Sequence, residues 1–518
     1  LIITMAITIH LIVRYRELAG ANPELNQRQL ILDSTIFMAR PCTFAVLTTV
    51  VGFASLVLSG ILPVMNFGWM MSAGIGVSLF LTFLIFPVLL MLMPKAMPNT
   101  SFESRFALTK IFADLTERHG KSILFISVAA LILSIAGAAK LNVENSFIDY
   151  FRESTEIYQG MKLIDQQLGG TTPLDLVVNL EQSEEEVQQA NTEVKVEVEL
   201  EDEDEFDAFE EEFEESAGKA QYWFTTEKME RIENIHDYLN GLEQTGKVLS
   251  LATMLKIGKT LNSGEPLDDF MLALLYNKLP ERFRKIIMDP YVSVENNEAR
   301  FYVRIRDSEP NLKRNELLKQ IQHDLKDKLD IPEGKWQLTN LLVLYNNMLQ
   351  SLFKSQILTL GVVIVLFLIM FIFLFRSIII ALIAIFPNVL SIGVVLGFMG
   401  WMGIPLDMMT ITIAAISVGI AVDNTIHYIH RFRFEFAKDR NYLAAMHRSH
   451  ESIGYAMYYT SITIIIGFSI LVLSKFIPSI YFGLLTGLAM LIALVAALTL
   501  LPQLLIVLKP LGPESQKI

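Results

Sequence analysis

TITIAAISVGIAVDNTIHYIHRFR, residues 410–433, is an apolar run broken once by charge, at Asp423, and closed by the basic pair Arg431 and Arg433. About 20 residues of α-helix cross about 30 Å of hydrocarbon, so the stretch is long enough to span a membrane. A charge at bilayer depth costs at least about 2.5–3.5 kcal/mol, so Asp423 must face a bundle interior, water or a partner. The segment therefore belongs inside a bundle of helices.

Outward from it, runs of crossing length recur near 43–61, 67–93, 121–139, 356–375, 378–400, 408–428, 456–474 and 481–508. The chain has 518 residues, 52% of them hydrophobic, and a mean hydropathy of +0.43. Both figures exceed what a soluble globular protein of this size carries. Residues 1–13 read as the tail of a further helix. No charged n-region or small-residue cleavage site precedes them, so the expectation is a helix that starts upstream and not a signal peptide. The single cysteine, Cys42, excludes a disulfide framework or a cysteine-based metal site within the chain. Walker signatures, clustered His/Cys ligands and nucleophile elbows are absent from the connections. Neither enzymatic activity nor a cofactor or metal is expected, and ATP is not the expected energy source.

Lys and Arg gather in alternate connections: Arg14 to Arg40, Lys95 to Lys121, Arg376, and Arg431 to Arg448. The intervening loops 60–66 and 401–407 hold none. The alternation predicts those basic ends and the C-terminus to be cytoplasmic, in a multi-pass membrane protein. It places the hydrophilic stretch 141–350 on the far side as a small α+β domain, with strands at 173–180 and 299–306 and helices at 226–242 and 312–329. Residues 184–215 hold seventeen Asp/Glu against one Lys. That composition predicts a solvated insertion, either bland or attractive to cations and partners. Residues 101–118 have the apolar face of a helix lying on the inner membrane surface.

An offset of 415 aligns Thr48 with Thr463, Gly52 and Phe53 with Gly467 and Phe468, Ser59 with Ser474, Pro63 with Pro478, and Pro87 with Pro502. An offset of 417 aligns Thr8, Ile9 and His10 with Thr425, Ile426 and His427, and Arg14 to Arg16 with Arg431 to Arg433. The matching helices run in the same order and direction, which makes a parallel repeat. The predicted organisation is 1–93 as the end of a first membrane repeat, 94–120 as an amphipathic cytoplasmic linker and 121–140 as the first helix of a second repeat. Then come the external domain 141–350, five helices over 351–508 and a cytoplasmic tail 509–518. An intact protein would have about twelve helices and two external domains.

Asp423 is the first candidate for chemistry, as a carboxylate that takes up a proton on one side and releases it on the other, or as a structural acid. Asn424 adjoins it, and His427 lies one helical turn on, on the same face, either as its proton partner or as an interfacial anchor. Gly419 would let a neighbouring helix approach. The helix expected to face the acid is 456–474, whose Tyr458, Tyr459, Thr460, Ser461 and Thr463 would steady either charge state or serve helix–helix hydrogen bonding. Pro387 and Asn388 mark a hinge or a simple kink.

Residues 403–435, with TSITIIIGFSILVLS at 460–474 and LLVLYNNMLQSLFKSQILTL at 341–360, resemble the resistance-nodulation-cell division superfamily. The nearest branch is the MMPL-like exporters with a sterol-sensing-type bundle. The resemblance implies proton-driven export of lipids or other hydrophobic molecules, porter-like external domains with βαβ elements, and relay acids on the fourth and tenth helices. Asp423 matches the tenth-helix position. In LIITMAITIHLIVRYRE, residues 1–17, Ala6 and Ile7 stand where the fourth-helix acid would fall. The chain is thus expected to be either a transporter coupled through one carboxylate or a non-transporting lipid receptor or assembly factor, with a conducting channel as a third reading. Expected partners are a hydrophobic or lipid substrate, membrane lipids, and a second copy or a periplasmic protein, but no nucleic acid.

Overall fold

The computed structural model describes residues 2–95, 108–141, 143, 146–181, 223–262, 279–309, 312–407 and 409–514. The acidic stretch 184–215 and the first part of the 101–118 segment lie outside them. The chain divides into two compact units, Leu1–Asn145 with Leu349–Ile518, and Ser146–Met348.

The chain begins with α1 (Ile2–Ala21), α2 (Gln27–Ala54), α3 (Leu62–Leu92) and α4 (Leu108–Ala138). It continues with α5 (Glu156–Gln167), β1 (Thr172–Asn179), α6 (Thr226–Asn240), β2 (Thr245–Leu249), α7 (Leu251–Leu261), α8 (Glu281–Ile287), β3 (Val292–Ser293), β4 (Glu298–Ile305), α9 (Arg314–Asp327) and β5 (Trp336–Thr339). It ends with α10 (Leu341–Phe375), α11 (Ile378–Met402), α12 (Thr410–Asp439), α13 (Tyr442–Ser469), α14 (Ile477–Leu498) and α15 (Leu500–Leu508).

Among the described residues eight helical segments are long and apolar enough to cross a membrane, and the polytopic helical class expected from sequence holds. Several helices run well past the apolar stretches that announced them. The run at 43–61 belongs to a helix that starts at Gln27, and the run at 456–474 to one that starts at Tyr442. Hydropathy sees only the part that meets hydrocarbon, whereas backbone hydrogen bonding carries the helix on into the polar boundary. The amphipathic segment from 108 onward and the following span form one helix, α4, kinked at His119 (φ −122°, ψ 26°).

Helix α12 is the centre of the membrane unit. Its most apolar 18-residue window is 94% buried, against 11% for α3, and it is also the least hydrophobic of the eight spans. A helix walled by protein does not need a lipid-compatible surface, so small and polar residues are admissible there.

The duplication reappears as matched packing. A Cβ on Gly68 would meet Phe53 O at 2.6 Å and Leu56 Cβ at 3.1 Å; one on Gly483 would meet Phe468 O at 2.4 Å and Leu471 Cβ at 2.8 Å. The ring of Phe53 stands edge-on to Phe67 at 5.9 Å, and that of Phe468 to Phe482 at 5.7 Å. Each pair of helices is joined through a 3-10 turn, Ser55–Ser59 in one half and Ile470–Leu473 in the other. In each a serine hydroxyl, Ser59 or Ser474, accepts the amide two residues on. The offset of 415 thus carries the same local fold twice.

The second unit holds a five-stranded antiparallel sheet in the order β2-β4-β1-β5, with β3 pairing on β4. The chain order β1-α6-β2 followed by β4-α9-β5 is a doubled βαβ arrangement. Strand β4 alternates half-buried and buried positions from Glu298 to Ile305. Phe301, Val303 and Ile305 therefore reach one core with Leu174 and Leu176 of β1, Ile232 and Ile235 of α6, and Ile321 of α9. Strands β2 and β5, too short for a clear alternation, escaped the sequence reading.

The fully buried Asp165, on α5, ties this unit together. It accepts hydrogen bonds from the amides of Thr171 (2.8 Å), Asp307 (2.9 Å) and Ser308 (2.9 Å). Burial pushes its carboxyl up, but the hydrogen bonds from Ser308, Thr171 and Asp307 outweigh that and hold it below the usual carboxylate range.

Candidate functional site

Consecutive residues on an α-helix point about 100° apart, so three polar residues in a row address three neighbours. On α12 these are Asp423, Asn424 and Thr425. Asp423 faces α1, where His10 Nε2 lies 3.7 Å from its Oδ2. Asn424 Nδ2 donates to Ser461 Oγ of α13 at 3.1 Å. Thr425 Oγ1 accepts from Asn388 Nδ2 of α11 at 3.1 Å. One short polar segment thereby joins the central helix to both membrane repeats.

Within α12, His427 Nε2 lies 3.1 Å from Asp423 Oδ1, as its i+4 spacing allows. The rings of His10 and His427 stack at 4.0 Å between centroids with 10° between planes. The two histidines are 1% and 3% exposed, so neither is the interfacial anchor that remained open for His427. Both His10 nitrogens are buried without a hydrogen-bond partner. Leu11 of α1, Cys42 and Val46 of α2, and Ile416 and Ile420 of α12 belong to one buried apolar cluster. Asp423 is not solitary: it is clasped by an imidazole from each repeat. His10 was missed as a functional residue, although the 417 offset had already aligned it with His427. The nitrogen and carboxylate atoms of His10, Asp423 and His427 lie within 4.8 Å of one another, a spacing that could also hold a metal ion.

Gly419 does serve a close approach, and the helix it admits is α2. A Cβ on Gly52 of α2 would meet Gly419 Cα at 3.0 Å, and Thr49 Oγ1 of α2 donates to Gly419 O at 2.8 Å. Helix α13 meets the polar segment through Ser461, one of the five expected hydroxyls. Thr460 is buried and donates to Met457 O of its own helix at 3.0 Å. Tyr459 packs its ring against Tyr458 at 5.7 Å, and Thr463 is half-buried. The sequence offered five hydroxyls without choosing among them, because the winding of α12 decides which neighbour each side chain meets. Pro387 sits inside α11, and Asn388 Nδ2 also donates to Ala384 O at 2.8 Å. Asn388 is thus a strut between α11 and α12.

A small cavity continues from the two histidines toward the basic end of the bundle and reaches Arg14, Glu17, Arg431 and Ser452. Glu17, seven residues after His10 and so on the same face of α1, pairs with Arg14 at 2.7 Å and with Arg431, and accepts from Ser452 Oγ at 3.2 Å. It too escaped the sequence reading, because an acid next to a basic cluster looks like an ordinary boundary residue.

The MMPL family profile matches residues 161–516. A putative membrane protein of Methanocaldococcus jannaschii is 25% identical over 283 residues, which cover 54% of this chain and 70% of that protein. In fold the chain is similar to the hedgehog release protein Disp of the water bear Hypsibius dujardini, with a TM-score of 0.58 at 13% identity over 99% of this chain and 62% of that one. It is also similar to SecDF, a translocon-associated membrane protein of Thermus thermophilus, with a TM-score of 0.52 at 12% identity over 98% of this chain and 54% of that one. The chain thus spans between half and two thirds of the length of these structural neighbours.

Proposed function

The chain belongs to the MMPL family, and from that premise and the geometry around Asp423 we propose that it is part of a proton-driven secondary transporter that exports lipids or other hydrophobic small molecules. The observation that carries the reading is the clasp itself: a carboxylate on α12 held between stacked imidazoles, one from each repeat. A proton arriving at this group changes the charge between α1 and α12, and therefore the free energy of one repeat against the other. The contact of 3.7 Å to His10 is longer than a hydrogen bond, so a small relative movement of the two helices makes or breaks it. The cavity toward Glu17 offers a second carboxylate along the same path. A proton falling through about 100 mV supplies roughly 2.3 kcal/mol, to which the pH gradient adds.

The bacterial inner membrane, with the basic ends cytoplasmic, is the location this reading takes, because the connections rich in Lys and Arg gather at those ends. A second reading is favoured by one observation. Ala6, the counterpart of Asp423 by the 417 offset, is buried and brings no acid to the site, so a bundle that binds lipid without moving protons is the alternative.

The test is Asp423→Asn in the full-length protein, reconstituted in vesicles with an imposed pH gradient. Loss of gradient-driven lipid export, with normal insertion and melting, supports the relay. Export at the unaltered rate refutes it, and wild-type protein that binds lipid but never moves it under any gradient favours the receptor.

A further inference from the structure

A second cavity, of about 480 Å³, opens at the basic end of the membrane unit between α2, α12 and the connection from α10 to α11. Its polar wall is Arg40, Arg376, Arg433 and His430, and its floor includes Phe37, Phe375 and Phe434. All three guanidinium groups are on exposed residues. Arg433 Nη1 donates to Phe375 O at 3.3 Å, and none of the three forms an ion pair among the described residues.

The duplication explains why this cluster is unbalanced. By the 417 offset Phe434 is the counterpart of Glu17. On the Glu17 side of Phe37 the carboxylate neutralises Arg14 and Arg431. On the other side Phe434 occupies the equivalent place, and three arginines converge without an acid. Around the mouth, Ile36, Phe373, Ile378 and Ile379 are 65%, 76%, 63% and 55% exposed, an apolar surface of the kind that meets lipid chains.

From this juxtaposition we infer that the Arg40–Arg376–Arg433 cavity binds the anionic headgroup of a membrane phospholipid, with its acyl chains along the adjoining apolar surface. Arginine guanidinium groups pair with phosphate oxygens two at a time, and basic hollows between membrane helices suit such headgroups. Arg40 belongs to the first repeat and Arg376 and Arg433 to the second, so a bound headgroup bridges the two repeats on the side opposite Glu17.

The experiment uses the full-length protein in nanodiscs of phosphatidylcholine containing a minority of phosphatidylglycerol, with retained lipids weighed by native mass spectrometry. Wild type should keep phosphatidylglycerol in preference to phosphatidylcholine. Each arginine is worth about a fivefold change in affinity, so the triple variant Arg40→Gln, Arg376→Gln and Arg433→Gln should lose about 100-fold. Phe434→Glu, which leaves the arginines in place and supplies the carboxylate that Glu17 supplies on the other side, should abolish the preference without removing a basic residue. It serves if the triple variant does not fold. Arg28→Gln with Arg118→Gln, basic positions elsewhere, should leave the preference intact. An unchanged preference in the triple variant and in Phe434→Glu overturns the inference. So does displacement of the lipid by inorganic phosphate or glycerol 3-phosphate at the lipid's own effective concentration, which would make the site one for soluble anions.

Discussion

Replacing Gly52 by alanine should destabilise the membrane unit far more than replacing Gly419, although the two glycines face each other. A Cβ at position 52 would lie 3.0 Å from Gly419 Cα and 3.1 Å from Ala415 O, both backbone atoms that no rotamer change can move. Carbon atoms pack at about 3.5–4.0 Å, so α2 must retreat from α12 by roughly half an ångström or more. Overpacking of that kind costs about 1–3 kcal/mol. The retreat also stretches the 2.8 Å bond from Thr49 Oγ1 to Gly419 O, worth about 0.5–1.5 kcal/mol. A Cβ at position 419 finds Thr49 at 3.5 Å, an ordinary contact; both glycines are helical, so the gain of about 1 kcal/mol in helix propensity is common to the two and cancels. The two substitutions should therefore differ by about 1.5–4.5 kcal/mol. Cys42 on α2, the one cysteine of the sequence and 1% exposed, provides the assay. A thiol-reactive fluorophore labels it only on unfolding, so a thermal ramp in detergent reports the separation of α2 from the bundle. Gly52→Ala should melt several degrees below wild type, and Gly419→Ala at or near it. Equal midpoints, or the reverse order, would refute the contact as the origin of the helix pairing.

His10→Leu fills the same buried space without an imidazole, so it should leave melting nearly unchanged while gradient-driven export falls at least about tenfold; export at the wild-type rate would remove His10 from the relay. Asn388→Leu breaks the strut to Thr425 and leaves that hydroxyl unpaired, with an expected cost of about 1–3 kcal/mol read by the same thermal ramp. In the second unit, the Asp165 carboxyl is held below its ordinary value, so its contribution is complete above about pH 4 and is lost as the pH falls through the folded-state value. Asp165→Asn should lower the hydrogen-exchange protection of β1 and β4 at pH 7 and flatten its decline between pH 5 and 3. A variant with the same acid slope as wild type would show that another group carries it.

Much of the fold was legible because its signals are local. Each of the eight spans announces itself in apolar length, β4 in its alternation, and the duplication in prolines and glycines that recur at one offset. Helix ends were less legible, since α2 and α13 begin 14 or more residues before the apolar runs by which they were recognised. Strands β2 and β5 were silent because five and four residues do not make a period.

For the site, the sequence by itself determined that Asp423 is the lone carboxylate within an apolar run of membrane-crossing length, that His427 shares its face, and that the first repeat has no acid at Ala6. Helical spacing and the cost of a buried charge suffice for that much. Only the tertiary structure decided what surrounds the carboxylate: His10 stacked on His427, Ser461 held by Asn424, and Gly52 against Gly419. Those contacts join residues hundreds of positions apart, and their choice rests on how α12 is rotated among its neighbours. That rotation comes from packing the small-residue face onto α2, a property of the whole bundle that no window of sequence contains.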